Sequence, residues 1–239
     1  MRRFRSRALT SSRRGKKAQV PGWLEFLSPS RTIPWVKWRA SSRWRAKPLT
    51  LVVLVVGLWL FGTGEGLLVV SGLGVSPWTV FAQGLSVQLP VSIGLATFLT
   101  SLMVLLLWVP LREKPGLGTI ANAVIIAVAL QVTVWLVPPQ TNWWVALAMV
   151  LFGIAIIGVG SGMYLTTNLG PGSRDGLMTG IHDRTGWPVA WVRLGLEASV
   201  LVVGWLLGGT VGLGTVLFAL LIGHAVGYAL KAAGAIAPY

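Results

Sequence analysis

The chain contains no cysteine in its 239 residues. Disulfides, thiolate metal sites and cysteine nucleophiles are therefore excluded. Charge is almost as scarce: 11% of residues are Asp, Glu, Lys or Arg, against 54% hydrophobic, under half the charge content of a soluble domain. Histidine occurs twice, as His182 and His224. There is no HExxH, no GxSxG, no paired-carboxylate motif and no phosphate loop ending in Lys-Ser/Thr. The chain is therefore not expected to be an enzyme, and no cofactor or metal is expected. What it has instead is long apolar runs, several near or above the ~18–20 residues that cross a bilayer. The expected class is an all-α, polytopic membrane protein.

The net charge of +14 belongs to one end. Residues 1–47 hold 14 Lys/Arg against the single acid Glu25, whereas residues 48–239 hold six basic and five acidic residues. Arg2, Arg3, Arg5, Arg7, Arg13, Arg14, Lys16 and Lys17 sit among Ser and Gly with no apolar face, a composition that predicts disorder. No apolar core of about 7–15 residues follows these charges, so a cleaved signal peptide is not expected. Trp23, Trp35, Trp38 and Trp44 then alternate with Lys and Arg, a mixture suited to anionic lipid headgroups. No folded nucleic-acid motif accompanies them, so nucleic acid is not an expected partner.

Six spans are predicted near 49–70, 91–110, 117–137, 143–166, 188–207 and 211–231. The loops between them alternate in charge. Loop 71–90 has no Lys or Arg, loop 111–116 has Arg112 and Lys114, loop 138–142 has none, loop 167–187 has Arg174 and Arg184, and loop 208–210 has none. With the basic leader, this alternation predicts both termini in the cytoplasm.

The sequence also repeats. Gly116-Leu117-Gly118-Thr119 returns 96 residues later as Gly212-Leu213-Gly214-Thr215, and between 57–127 and 153–223 eight of the ten glycines in the first window fall on glycines in the second. Chance would align about two, so the pattern reads as an internal duplication. Each copy holds three spans. An odd number makes the second copy enter the membrane from the opposite side, which predicts two inverted three-helix repeats, an architecture of secondary transporters. The expected division is 1–47, a basic cytoplasmic leader; 48–142, the first repeat; and 143–239, the second.

Glycines recur at spacings of two in the first span of each repeat, as Gly62, Gly64, Gly66 and Gly158, Gly160, Gly162. The GxxxG pairs 62/66 and 158/162 predict close packing of these two helices. Each of those spans is followed by a short Gly-rich polar segment. Ser76 before Pro77, and Ser173 in the second copy, read as N-caps of short helices. Such helices either re-enter the bilayer and aim positive N-terminal ends at a solute, or lie flat with Trp78 as an interfacial anchor.

Charges inside a bilayer default to functional candidates. Arg193 and Glu197 lie at i, i+4 on the fifth span and can pair. With Arg174 and Asp175 they form a possible neutral quartet, either structural or involved in ion or solute coupling. Glu65 lies near the outer end of span one, with no basic residue in the outer loop of its own repeat. Trp78, Asn122 and His224 complete the candidate set, with Gln131, Thr119 and Thr215 weaker.

The stretches LGVSPWTVFAQGL (73–85), PLREKPGLGTIAN (110–122), GSGMYLTTNLGPGSRDGLMTG (160–180) and VRLGLEASVLVVGWLLGGTVGLGTVLFAL (192–220) resemble the YczE-type integral membrane proteins of bacteria. In that family an acidic residue usually follows Pro-Trp; here the position is Thr79. The resemblance covers about 48–230 and implies a multi-span protein of the bacterial inner membrane, without implying an activity. The expected function is a small secondary transporter or exporter of a small, anionic or amphiphilic solute. The alternative is a membrane scaffold or accessory factor. Lipid, an unidentified solute and a second copy in a homodimer are the expected partners.

Overall fold

A computed structural model of the chain describes residues 32–238. The expectations for residues 1–31, including the disordered leader and Trp23, lie outside the described residues. Residues 32–47 carry no regular helix and fold back against the helices, with Val36 fully buried. Eight helices follow: α1 (Pro48–Ser71), α2 (Pro77–Gln88), α3 (Ile93–Leu111), α4 (Leu117–Leu136), α5 (Trp143–Thr166), α6 (Ser173–Thr185), α7 (Val189–Leu206) and α8 (Leu213–Ile236).

Six of these, all but α2 and α6, are long and apolar enough to cross a membrane. They are apolar on every side, so large hydrophobic side chains cover the outside too: Leu106, Val109, Phe152 and Leu206 are all exposed. Such a surface is tolerated against lipid, where every backbone polar group is satisfied within its own helix. Exposed tryptophans gather at the helix ends, Trp135, Trp143, Trp144 and Trp205 at one side and Trp187 and Trp191 at the other, as interfacial belts do.

The two ends of the bundle differ. On one, the Ala40 amide donates to the Thr167 carbonyl at 2.9 Å, the Leu117 amide to the Arg43 carbonyl at 3.0 Å, and the Lys37 amide to the Ala237 carbonyl at 3.2 Å. The basic leader, the loop carrying Arg112 and Lys114, and the C-terminal end of α8 thus share one face. On the other, the Gly214 amide donates to the Leu73 carbonyl at 2.7 Å and the Gln140 amide to the Val70 carbonyl at 3.0 Å, among loops without Lys or Arg.

The centre is the contact between α1 and α5, which run antiparallel. Gly57 lies against Gly160, and Gly64 against Gly153. These two contacts exchange under the 96-residue offset, since Gly57 corresponds to Gly153 and Gly64 to Gly160. The GxxxG pairs do other work than predicted. Gly62 and Gly66 face α4, at Ala129 and Thr133, while Gly158 and Gly162 face α8, at Ala225 and Ala229. Each core helix therefore presents one set of glycines to its twin and another to its own third span. The Gly-Leu-Gly-Thr segments also behave as equivalents. The Gly118 amide donates to the Leu169 carbonyl at 2.8 Å, as Gly214 does to Leu73, so each segment docks on the loop of the opposite half.

A side chain at Gly64 meets Ile157 and the Gly153 carbonyl; one at Gly153 meets Leu68 and the Gly64 carbonyl. Gly64→Val and Gly153→Val are each expected to cost ~1–3 kcal/mol through overpacking, read as a lower melting temperature in detergent. Gly195→Ala meets nothing within 4 Å and replaces a poor helix former, so it should leave the melting temperature unchanged or raise it. Equal losses for all three would contradict this packing.

Candidate functional site

The two short helices begin inside the bundle. The Ser76 hydroxyl lies 2.9 Å from both oxygens of Glu65, and the Thr79 hydroxyl donates to Glu65 at 2.8 Å. Glu65 is six residues before the last residue of α1, about 9 Å along the helix, so the start of α2 reaches inward by that distance. From there α2 packs on α7, with Gly84 against Gly204. In the other half, α6 packs on α3: Gly176 sits on the Trp108 indole, whose N–H donates to the Ser173 carbonyl at 2.9 Å.

Between the two helix starts lies a cavity of about 300 Å³. Its walls come from both halves at equivalent positions: Glu65 and Ser161, Trp78 and Arg174, Ser101 and Glu197, Asn122 and Phe218 all line it, each pair 96 residues apart. The cavity is therefore lined by positions that exchange under the 96-residue offset. Every charged member of these pairs has an uncharged counterpart. The copies keep the same glycines where helices touch and differ where the cavity is lined.

Seven of the eight candidate residues line this space: Glu65, Trp78, Asn122, Arg174, Asp175, Arg193 and Glu197. His224 does not. It lies exposed on α8, its ring against the Leu220 carbonyl. The predicted quartet is divided rather than mutually paired. Arg193 and Glu197 form an ion pair at 2.8 Å, but Asp175 accepts from the Tyr164 hydroxyl at 2.8 Å. The Arg174 guanidinium stacks over Trp78 at 5.2 Å. Arg174 has no hydrogen bond or ion pair among the described residues; the charges acting on it are those of Glu65, Asp175 and Glu197. Glu65 thus feels the charge of Arg174 from the opposite half, but its bonded partners are the hydroxyls of Ser76 and Thr79. Trp78 is only 5% exposed, packed with Val104, Trp108 and Leu177, and is no interfacial anchor. Its indole N–H has no partner among the described residues.

Two capping expectations also change. Ser76 makes no side-chain cap bond, because its hydroxyl is engaged by Glu65. Ser173 is the first residue of α6, after Gly172 at the N-cap, and its hydroxyl is unpartnered. Reading the sequence missed Tyr164 and the Ser76–Thr79 cradle. The spacing of Ser76 and Thr79, three residues apart at a helix start, was the available signal for the cradle. Among the described residues no three His, Asp or Glu side chains gather as a metal site.

The cradle is testable by a mutant cycle. Removing both hydroxyls with Ser76→Ala and Thr79→Val strips a carboxyl 1% exposed of its donors, a loss of ~1–3 kcal/mol or more. The same double change in a Glu65→Gln background should cost less, because the partners are coupled. Strict additivity of the melting-temperature changes would contradict the contact.

Comparison with known proteins places the chain. A protein of Haemophilus influenzae, titled an uncharacterized protein, is 46% identical over 201 residues, which cover 84% of this chain and 92% of the relative. The uncharacterized membrane protein YczE of Bacillus subtilis is 33% identical over 189 residues, covering 79% of this chain and 85% of the relative. YyaS of the same organism is 27% identical over 166 residues, covering 68% and 83%. No solved structure matches. Residues 49–231 match the family described as DUF6198, a family of unknown function. That match reaches into all six candidate membrane helices, and with the YczE similarity it means that the chain belongs to this family.

Proposed function

We propose that the protein is a small secondary transporter of the bacterial inner membrane, built as two inverted three-helix repeats that give alternating access to the cavity between them. The observation that carries this reading is the cavity itself, lined at equivalent positions by both halves and by the starts of both short helices. Its support is the antiparallel, reciprocal contact of α1 with α5. A two-fold axis crossing two antiparallel helices exchanges their directions, so the halves it relates are inverted, and transporters of this build bind solute near the midplane where interrupted helices meet. The charges in the cavity fit the same reading, since ionisable groups at this depth are retained for solutes, ions or protons. The basic face of the bundle is read as cytoplasmic, with both termini there, by the excess of Lys and Arg.

The natural absence of cysteine makes the test direct. Single-cysteine variants Asn122→Cys and Ser161→Cys, both in the cavity wall, are exposed to a membrane-impermeant maleimide in right-side-out and inside-out vesicles. Alternating access predicts labelling of each from both sides. Lys114→Cys should label only from the cytoplasmic side and Thr210→Cys only from the outside. Labelling of the cavity positions from one side alone, or from neither, would contradict transport and favour a scaffold.

A further inference from the structure

The two halves depart from each other at one seam. In the first half α3 packs on α4, where the Gly94 amide donates to the Gln131 side chain at 2.8 Å. The equivalent positions in the second half are Ala190 and Gly227, which cannot make that bond, and α7 stands away from α8. Only Val192 and Gly204 of α7 are buried. A side chain at Gly223 of α8, in the cavity wall, would meet nothing within 4 Å. The cavity reaches this gap, because Arg193, Glu197, Gly223 and Gly227 belong to its wall, and the Arg193 side chain is 50% exposed there. The gap lies between two spans, so it opens onto lipid.

Among the charged side chains of the cavity, every carboxylate already accepts a hydrogen bond while the arginines keep most of their N–H groups unused. Glu65 is bonded by two hydroxyls, Asp175 by Tyr164, and Glu197 by Arg193. Among the described residues Arg174 makes no hydrogen bond, Arg193 uses only its Nε, and the buried Trp78 N–H is unpartnered. Two guanidinium groups with free N–H pairs match a carboxylate or phosphate, which accept in the same planar fork. A cavity of about 300 Å³ is at the lower limit for a small-molecule site, so a long apolar chain attached to that head would extend through the gap.

Resting on the reading of this cavity as a solute site, we infer that its ligand is an amphiphile with a carboxylate or phosphate head, which enters sideways from the bilayer between α7 and α8. Arg193 stands at the entrance and Arg174 receives the head inside.

The test is equilibrium binding of radiolabelled dodecanoate to the full chain in nanodiscs of zwitterionic lipid, with dodecyl phosphate, acetate, inorganic phosphate and dodecyltrimethylammonium as competitors. Dodecanoate should bind saturably, and dodecyl phosphate should displace it. Acetate, inorganic phosphate and the ammonium should compete at least about tenfold more weakly. Arg174→Gln should weaken binding by about tenfold or more. Gly223→Trp, which fills the gap, should do the same at an unchanged melting temperature, and the smaller Gly223→Leu serves if that variant fails to fold. No saturable binding, preference for the ammonium, or equal competition by acetate or inorganic phosphate would overturn the inference. So would disulfide cross-linking of two copies through Gly223→Cys, because a second copy would then cover the gap. Two-sided maleimide labelling of the cavity does not depend on ligand chemistry, so this inference can fail while the transport reading stands.

Discussion

The arrangement depends on how closely two helix backbones approach. α1 and α5 meet through Gly57, Gly64, Gly153 and Gly160, where each missing Cβ lets the facing backbone carbonyl and side chains such as Ile157 and Leu68 come close. In lipid there is no hydrophobic drive to hold helices together, so association relies on van der Waals contact, interhelical hydrogen bonds and lipid entropy, and small residues make the contact possible. Because each of these helices also uses a second glycine set toward its own third span, four spans form one tight core. The two short helices and α3 and α7 are arranged around it. The short helices start beside the core and leave a space there that neither half encloses alone.

That space concentrates the polar side chains of a membrane body that is otherwise nearly free of charge. Glu65, from the first half, is cradled by Ser76 and Thr79. Arg174 and Asp175, from the second, occupy the positions equivalent to Trp78 and Thr79. At these offset-related positions the two halves thus differ in chemistry. A charge is expensive at this depth, and here each carboxylate has a donor while the arginines retain free ones. A purely structural clasp would be expected to saturate both sides of the ledger.

Much of this was legible in the chain because glycine and charge are informative in lipid. The apolar runs placed all six spans within a few residues, and the glycine-rich first spans of the two halves were expected to pack closely. The i, i+4 spacing of Arg193 and Glu197 marked their ion pair. Other features depended on tertiary placement. Helical periodicity shows which residues share a face but not which neighbour that face meets, so the GxxxG pairs were assigned to the wrong partner helices. Ser76 looks like a cap in one dimension and proves to be a partner of Glu65 in three. His224 was a candidate for its chemistry alone, and its face of α8 points away from the cavity. The asymmetry between the α3–α4 and α7–α8 seams follows from Gln131 having only Gly227 as its counterpart, a difference that gains meaning once the helices are seen side by side.

The central claim is that two antiparallel halves enclose a polar cavity at their seam. An electron cryomicroscopy map of the protein in nanodiscs tests it most directly. The account predicts halves related by a two-fold axis in the membrane plane, with Trp78 and Arg174 stacked beside a solvent- or lipid-filled space that Glu65 and Glu197 border. Halves oriented alike, or a dry seam in which Arg174 is fully paired with Glu65 and Asp175, would contradict it.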